Sequence, residues 1–495
     1  MGAIPTKATP ENTKAFLSRY PSQPSKVLGQ TGLWCSSFGF GSYRIHEKFP
    51  GHREALRTAL QKGCNLIDTS SNYGDGAAES LIGDVLQDLI KQKIIDRSEV
   101  ILVSKGGYLQ GSALQFAMDL EKKKKGYQEV VKVQDTCWHC IHPDFLESQI
   151  EQSLKRLGLE QLDIYLLHNP EYFLKMHTDP HEYLKRIQKA FEFLETEVEK
   201  GRIQYYGVSS NTFPENLNSS TRTSLKELIE LAESIKEDHH FKVIQFPFNL
   251  FEPNALVEKQ ENDQTLLERA EAKKMGVLIN RPLNALANDK LIRLSDFPKR
   301  GEEKALEKNM ELRKNEAVSA EAQLVAYLQS NRSEEHEEPI AINLAHFLGQ
   351  SLSQVEDLIQ WKEILSHQII PKLIRFFQDQ QHLVHQTPLL MDYQKKMDDF
   401  LQSITEWFET KAHMRSENLK QLIDLKAPEV QKEEALTRKL FSLYLSVPGI
   451  HCILLGMRNK FYVEDAFQLD ESRIDKKRVK ETFEAVSDLI ENSGN

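Results

Sequence analysis

Eight short apolar runs, separated in the regular part of the chain by stretches of helical periodicity, constrain this sequence more than any other feature. They lie within Gly32–Tyr43, Asn65–Ser70, Val100–Lys105, Asp163–His168, Tyr205–Ser210, Val243–Phe246, Val277–Asn280 and Cys452–Leu455. Runs such as VILVSK and DIYLLH are continuously apolar, as strands buried on both faces of a parallel sheet must be. Between them fall helices at His52–Lys62, from Ala77 onward, and at Phe145–Leu157, Tyr183–Lys200, Leu225–Ile235, Leu266–Met275 and Leu436–Leu445. Eight strands alternating with helices predict a closed (β/α)8 TIM barrel, which gathers chemistry at the C-terminal ends of its strands.

The pattern stops once. From about Ala287 to Glu434 no strand is expected, and this gap is far longer than an ordinary connection. Helical spacing recurs there at Glu321–Gln329, Ile340–Leu348, Val355–Leu365, Ile369–Phe377 and Tyr393–Phe408, broken by the acidic stretch Ser330–Pro339. The expected organisation is therefore an N-terminal arm (1–24), a barrel (25–289 and 433–495) and an all-helical insertion (290–432). The insertion falls between the seventh strand and its helix, on the face that carries the catalytic ends. An insertion of this size also offers a surface for a protein partner.

Composition narrows the function. A net charge of −10 leaves no basic surplus for phosphates, so nucleic acid is not an expected partner. No apolar run approaches the ~20 residues of a membrane span, and the N-terminus lacks the apolar core of a secretory signal. Five cysteines suit a reducing compartment, and the expected location is cytoplasmic.

The second run, NLIDTSSNYGDGAAE, places Asp68 near a strand end and Tyr73 in the loop beyond it. The third run ends in Lys105 and the fourth in His168. A barrel brings these ends around one mouth as a phenol, an ammonium, a carboxylate and an imidazole. A free phenol is a poor acid–base group at its pKa of ~10, and a nearby ammonium favours the phenolate and lowers that value. Such a set donates a proton to an oxygen that gains negative charge as hydride reaches the neighbouring carbon.

With these residues in place the chain resembles the aldo-keto reductase family. The matching stretches are LIDTSSNYG, ILVSKGG, SLKRLGLEQLDIYLLHNP, GRIQYYGVSSN, VIQFPFNLFE, LINRPLNA and VPGIHCILLGMRN. The resemblance implies an NAD(P)H-dependent oxidoreductase acting on a small carbonyl or alcohol. Tyr73 would be its general acid, Lys105 and Asp68 the tuning pair, and His168 the group that orients substrate. A cofactor-binding barrel serving as a regulatory or docking subunit through its insertion is the alternative.

By the same resemblance the dinucleotide lies across the barrel mouth. FGFGSY is only half a dinucleotide fingerprint, because Arg44 stands where a third glycine belongs, so a Rossmann reading fails. Gly41 and Tyr43 at the first strand end, with Ser209 and Gln245, would hold the cofactor. Ser210 or Asn211 would be the second partner of the carboxamide, and Phe248 would stack on the nicotinamide. Leu283 and Asn284 would cover the pyrophosphate, and Gly456, Arg458 and Asn459 would begin the adenosine-phosphate site. Arg458 suits the 2′-phosphate of NADP. Tyr462 replaces the family's second arginine and Ala466 its amide-bearing helix position, so NAD stays open as well.

The run CWHCIH (Cys137, Trp138, His139, Cys140 and His142) has the outline of a zinc site. It lacks a second ligand pair at structural-site spacing, so no metal is expected. Trp138 and His139 are instead expected to touch substrate.

Overall fold

The computed structural model of the chain describes residues 7–287, 290–330, 342–379, 388–468 and 474–493. The chain divides into two compact units, Met1–Ala287 with Lys426–Lys432 and Arg438–Asn495, and Asn288–Leu425 with Glu433–Thr437.

The first unit holds the barrel. Its strands are β1 (Phe38–Gly41), β2 (Leu66–Asp68), β3 (Ile101–Gly106), β4 (Leu162–His168), β5 (Ile203–Ser209), β6 (Phe241–Pro247), β7 (Gly276–Asn280) and β8 (Cys452–Leu455). Each pairs in parallel with its neighbours, and β8 closes onto β1. The (β/α)8 fold expected from the alternation is the fold observed. Its helices follow the apolar spacing of the sequence. In Ala77–Lys91 the residues Leu81, Val85 and Leu89 are buried one turn apart. That helix crosses Pro143–Leu157 closely because Gly83 has no side chain: a Cβ there would lie 2.7 Å from the Leu157 carbonyl oxygen.

The first apolar stretch differs from its expected reading as one strand. Trp34–Ser36 pairs antiparallel with Ser25–Val27, and only Phe38–Gly41 enters the barrel. The Asn65 side chain enforces the break. Its amide donates to the Trp34 carbonyl and its carbonyl accepts from the Ser36 N–H, at 2.9 and 2.8 Å. The resulting hairpin floors the barrel: Leu28, Leu33 and Cys35 pack with Ala8 against Leu66, Ile101, Val103, Ile164, Leu166, Val243, Leu278, Cys452 and Leu454. Residues expected to form a loose arm thus include the helix Pro10–Leu17, capped by Thr9, with Phe16 and Leu17 buried.

The second unit opens on a short strand, Lys290–Arg293, and continues in helices Glu303–Ser330, Leu344–Ser351, Leu358–Ile364, Ile370–Asp379 and Pro388–Lys426. A π turn at Leu365–Ile369 joins two of them. Pro371 follows it and has no N–H for the next helical bond, which accounts for the widened turn. The unit has its own core, in which Trp361, Tyr393, Phe400 and Phe408 pack with Leu324 and Ala345. The buried Glu321 carboxylate accepts from the Ala345 N–H and the Tyr393 hydroxyl. Apart from Ser330, the acidic stretch Ser330–Pro339 lies outside the described residues. No described helix is long and apolar enough to cross a membrane.

One ion pair under the barrel ties these levels together. Asp163 accepts from the Ala8 and Leu102 N–H groups, both at 2.7 Å, and from Arg97 at 2.8 Å, with both charged side chains enclosed. Replacing one partner strands the other charge. Asp163→Ala is expected to destabilise the barrel by about 3–5 kcal/mol, read as a lowered urea midpoint. A loss below about 1 kcal/mol would show that the pair does not anchor the N-terminal segment.

Candidate active site

Strand side chains alternate, so one parity along each strand faces the barrel axis. Leu66, Ile101 and Val103, Ile164 and Leu166, Val243, Leu278, and Cys452 and Leu454 are the inward apolar layers. Continuing the same parity by two residues reaches Asp68, Lys105, His168, Gln245, Asn280 and Gly456; on β1 and β5 it reaches Gly41 and Ser209. The core therefore turns polar in one step at the C-terminal rim.

At that rim the Lys105 ammonium donates to Asp68 Oδ2 at 2.7 Å, to the Thr69 carbonyl at 2.9 Å and to the Tyr73 hydroxyl at 3.3 Å. The other Asp68 oxygen accepts from Gln245 Nε2 at 2.7 Å, which links β2 to β6 across the barrel. Gln245 Oε1 in turn accepts from Ser209 Oγ at 3.0 Å. His168 stands beside Tyr73, ring centres 6.0 Å apart, and its Nδ1 lies 3.1 Å from Ser70 Oγ. When Ser70 donates to Nδ1, the neutral imidazole carries its proton on Nε2 and can donate to a carbonyl oxygen.

Burial sets the protonation states. Enclosure holds the His168 imidazole well below its ordinary range, and Lys105 and His139 push it further down. Burial also lowers the Lys105 ammonium, opposed by the Asp68 charge. The Tyr73 phenol is driven well above its ordinary value by burial, then by Asp68 and Tyr43. This reverses the direction expected from sequence. Lys105 spends its charge on Asp68, at 2.7 Å, and lies farther from the phenol, which stays a protonated acid.

A small three-stranded antiparallel sheet after β3 walls one side. Tyr108 pairs with His139 across it, and alternation puts both on the face toward His168. The Tyr108 ring meets His168 edge-on at 4.7 Å, and its hydroxyl accepts from Asn169 at 2.7 Å. His139 stacks on Tyr172 and lies 2.8 Å from the His168 carbonyl oxygen. Gly107 makes this approach possible, since a Cβ there would sit 2.5 Å from that oxygen. Trp138 has the opposite parity and lies under Lys132, whose ammonium is 4.4 Å from its ring, so only His139 of the two joins the cluster. Cys140 bonds the Gln128 carbonyl, and His142 caps the helix Pro143–Leu157. Among the described residues no three metal-ligating side chains converge.

The expected cofactor positions divide. Tyr43 is exposed with its ring edge toward Tyr73, Gly41 ends β1 level with Asp68, and Ser209 ends β5 level with His168. Leu283 lies in the turn after β7 and Asn284 opens a further short strand, Asn284–Ala287, while Gly456 and Arg458 follow β8. Four of the expected residues have partners within the chain. The Ser210 hydroxyl joins Thr212 and Thr223, and Asn211 is fixed by its N–H to the buried Glu171 carboxylate. Asn459 caps Lys460–Ala466. Phe248 is fully buried against Tyr444 and Phe483, which leaves its ring no open face for stacking. Three buried polar atoms at the ends of β1, β2 and β7 have no hydrogen-bond partner among the described residues: Ser42 Oγ, Thr69 Oγ1 and Asn280 Oδ1.

A model of the aldo/keto reductase family matches residues 38–354. An aldo-keto reductase of Bacillus subtilis is 25% identical over 258 residues, covering 51% of this chain and 60% of its own. A Schizosaccharomyces pombe protein carrying the name of a voltage-gated potassium channel subunit beta is 26% identical over 191 residues, 38% of this chain and 45% of its own. An aldo-keto reductase of the same species, designated for NADP(+), is 28% identical over 193 residues, 38% and 46% of the two chains. The chain spans about half the length of the curated relatives it matches.

His139 gives the wall a pH signature. Burial depresses its imidazole to about 4, below the ~6.5 of an unfolded chain. A depressed value means stability that is present above pH ~6.5 and lost as pH falls toward about 4, at most about 3 kcal/mol from this residue. His139→Gln removes that loss, so the stability of the variant relative to wild type, read from urea midpoints, should rise by up to about 3 kcal/mol as pH falls from 7 to 4. Parallel pH profiles would assign the acid sensitivity to other histidines.

Proposed function

This chain belongs to the aldo/keto reductase family, and from that premise we propose that it is an NADP(H)-dependent oxidoreductase interconverting a carbonyl and an alcohol. The observation that carries the reading is the bonded set at the rim, in which one buried ammonium contacts both the Asp68 carboxylate and the Tyr73 hydroxyl. The residues around the mouth suit a nicotinamide dinucleotide. Gln245 and Ser209 offer amide and hydroxyl groups, and the orphaned acceptor Asn280 Oδ1 would receive a carboxamide N–H. Arg458 would pair with a 2′-phosphate.

When bound, the dinucleotide supplies or accepts the hydride at the substrate carbon. In reduction, Nε2–H of neutral His168 holds the carbonyl oxygen beside Tyr73. As that oxygen gains the π electron pair of the C=O group, the Tyr73 hydroxyl gives up its proton to it. Lys105 then faces a phenolate, which it stabilises until solvent returns the proton. Asp68 keeps the ammonium charged and in place throughout. The enclosed rim strengthens each of these interactions.

A docking role for the second unit is the other reading. It is favoured by the channel-subunit name of one relative and by Ile370 and Ile374, exposed one turn apart on a single helix. Turnover of aldehydes and ketones with NADPH by the purified protein distinguishes the two. Cofactor binding without turnover would favour docking.

Tyr73→Phe is expected to lower kcat for carbonyl reduction by ~10²–10⁴ while leaving NADPH affinity nearly unchanged. A variant keeping half the wild-type rate, with chemistry rate-limiting, would remove Tyr73 from the role of acid. Lys105→Met should be at least as damaging, because it also leaves Asp68 unpaired. Arg458→Ala should weaken NADPH roughly ten- to hundred-fold more than NADH in fluorescence titrations. Equal losses would make Arg458 structural and NAD the natural cofactor.

A further inference from the structure

The second unit contains a cavity of ≈ 290 Å³ that the barrel chemistry does not use. Its floor is apolar: Leu294, Leu358, Phe408 and Leu419 are buried there, and Ile292 and Phe297 are partly buried. One face of the long helix Pro388–Lys426 supplies much of the wall, because Phe408, Lys411, Ala412, Arg415, Ser416 and Leu419 recur at helical spacing.

The charges on this lining are unequally matched. Glu356 pairs with Lys290 at 2.6 Å, and Asp357 accepts from the Ile359 and Gln360 N–H groups at 2.8 Å each. Both acids are therefore engaged. Lys411 lies 3.9 Å from the centre of the Trp407 ring, and neither Lys411 nor Arg415 has a carboxylate partner among the described residues. They stand four residues apart on one helix, where like charges repel. Ser416 already donates to the Ser295 carbonyl. The cavity thus presents two cations at its rim above an apolar floor.

We propose that this cavity is a binding site for a small amphipathic carboxylate, its alkyl or aryl body on the floor around Leu294, Phe408 and Leu419 and its carboxylate on Lys411 and Arg415. An inorganic anion would leave the apolar floor unfilled, and a neutral amphiphile would leave the two cations unmatched. The volume sits at the lower end of ligand pockets, which favours a short chain or a single ring over a long lipid.

Calorimetric titration of the full chain with octanoate, octan-1-ol and inorganic phosphate tests this. Octanoate should bind, and phosphate should not. The paired substitution Lys411→Ala with Arg415→Ala should weaken octanoate by roughly ten-fold or more and leave octan-1-ol unchanged. Ala412→Trp, which fills the cavity, should abolish octanoate binding. Both cations are exposed and can be removed without touching the core, and circular dichroism with NADPH titration reports whether each variant is folded. Failure of octanoate to bind at millimolar concentration would overturn the proposal. So would an unchanged octanoate affinity in the paired variant, which would place the carboxylate elsewhere.

Discussion

The rim of the barrel depends on one requirement: the Lys105 ammonium, wholly enclosed, must be balanced. A buried charge without a partner costs several kcal/mol, and here the balancing carboxylate comes from the adjacent strand. β2 and β3 are neighbours in register, with Asp68 opposite Val103, so Asp68 and Lys105 meet diagonally at the top of the sheet. Asp68 has a second oxygen to satisfy, and Gln245 reaches it from β6. A single carboxylate thereby fixes a lysine on one side and a glutamine on the other. Behind Lys105, Glu79 is wholly buried between Ser104 and Arg156 and adds to the negative field that keeps the ammonium charged.

The same enclosure sorts the other titratable groups. A neutral imidazole, a protonated phenol and one compensated ion pair carry no net charge into the mouth. In the proposed reduction a carbonyl would therefore meet donors, and the first group to become anionic on proton transfer would be Tyr73, which lies 3.3 Å from Lys105. Catalysis by such a set needs the charge to appear where the ammonium is waiting, and to be absent until then.

Much of this was legible because strand parity is exact. Once Ile101–Val103 and Ile164–Leu166 are read as inward layers, Lys105 and His168 must follow them onto the axis. Asn280 obeys the same parity two residues beyond Leu278 and could have been found that way, yet it carried no motif to attract notice. Tyr108, Asn169 and Tyr172 could not be read, since they converge from two loops whose path depends on Gly107 and on the pairing of Tyr108 with His139. The direction of the Tyr73 shift also escaped, because sequence shows the ammonium nearby but gives neither its distance nor the degree of burial. The stacking role of Phe248 rests on resemblance, and the residues that cover it, Tyr444 and Phe483, lie some two hundred places along the chain.

The two units differ in what a sequence can disclose about them. In a barrel, the period of two and the position of each strand end together locate the chemistry from the residue order alone. In the helical unit the period of 3.6 identifies a buried stripe, and Trp361, Tyr393 and Phe408 follow it into the core. A cavity in such a unit has no corresponding signature. Its lining comes from residues 292–297, 356–359 and 408–419, three segments that only tertiary packing brings together. Within one of them, Lys411 and Arg415 sit on the polar edge of the stripe, where charged residues are ordinary. What sets them apart is that no carboxylate among the described residues pairs with them, and pairing is a property of the fold.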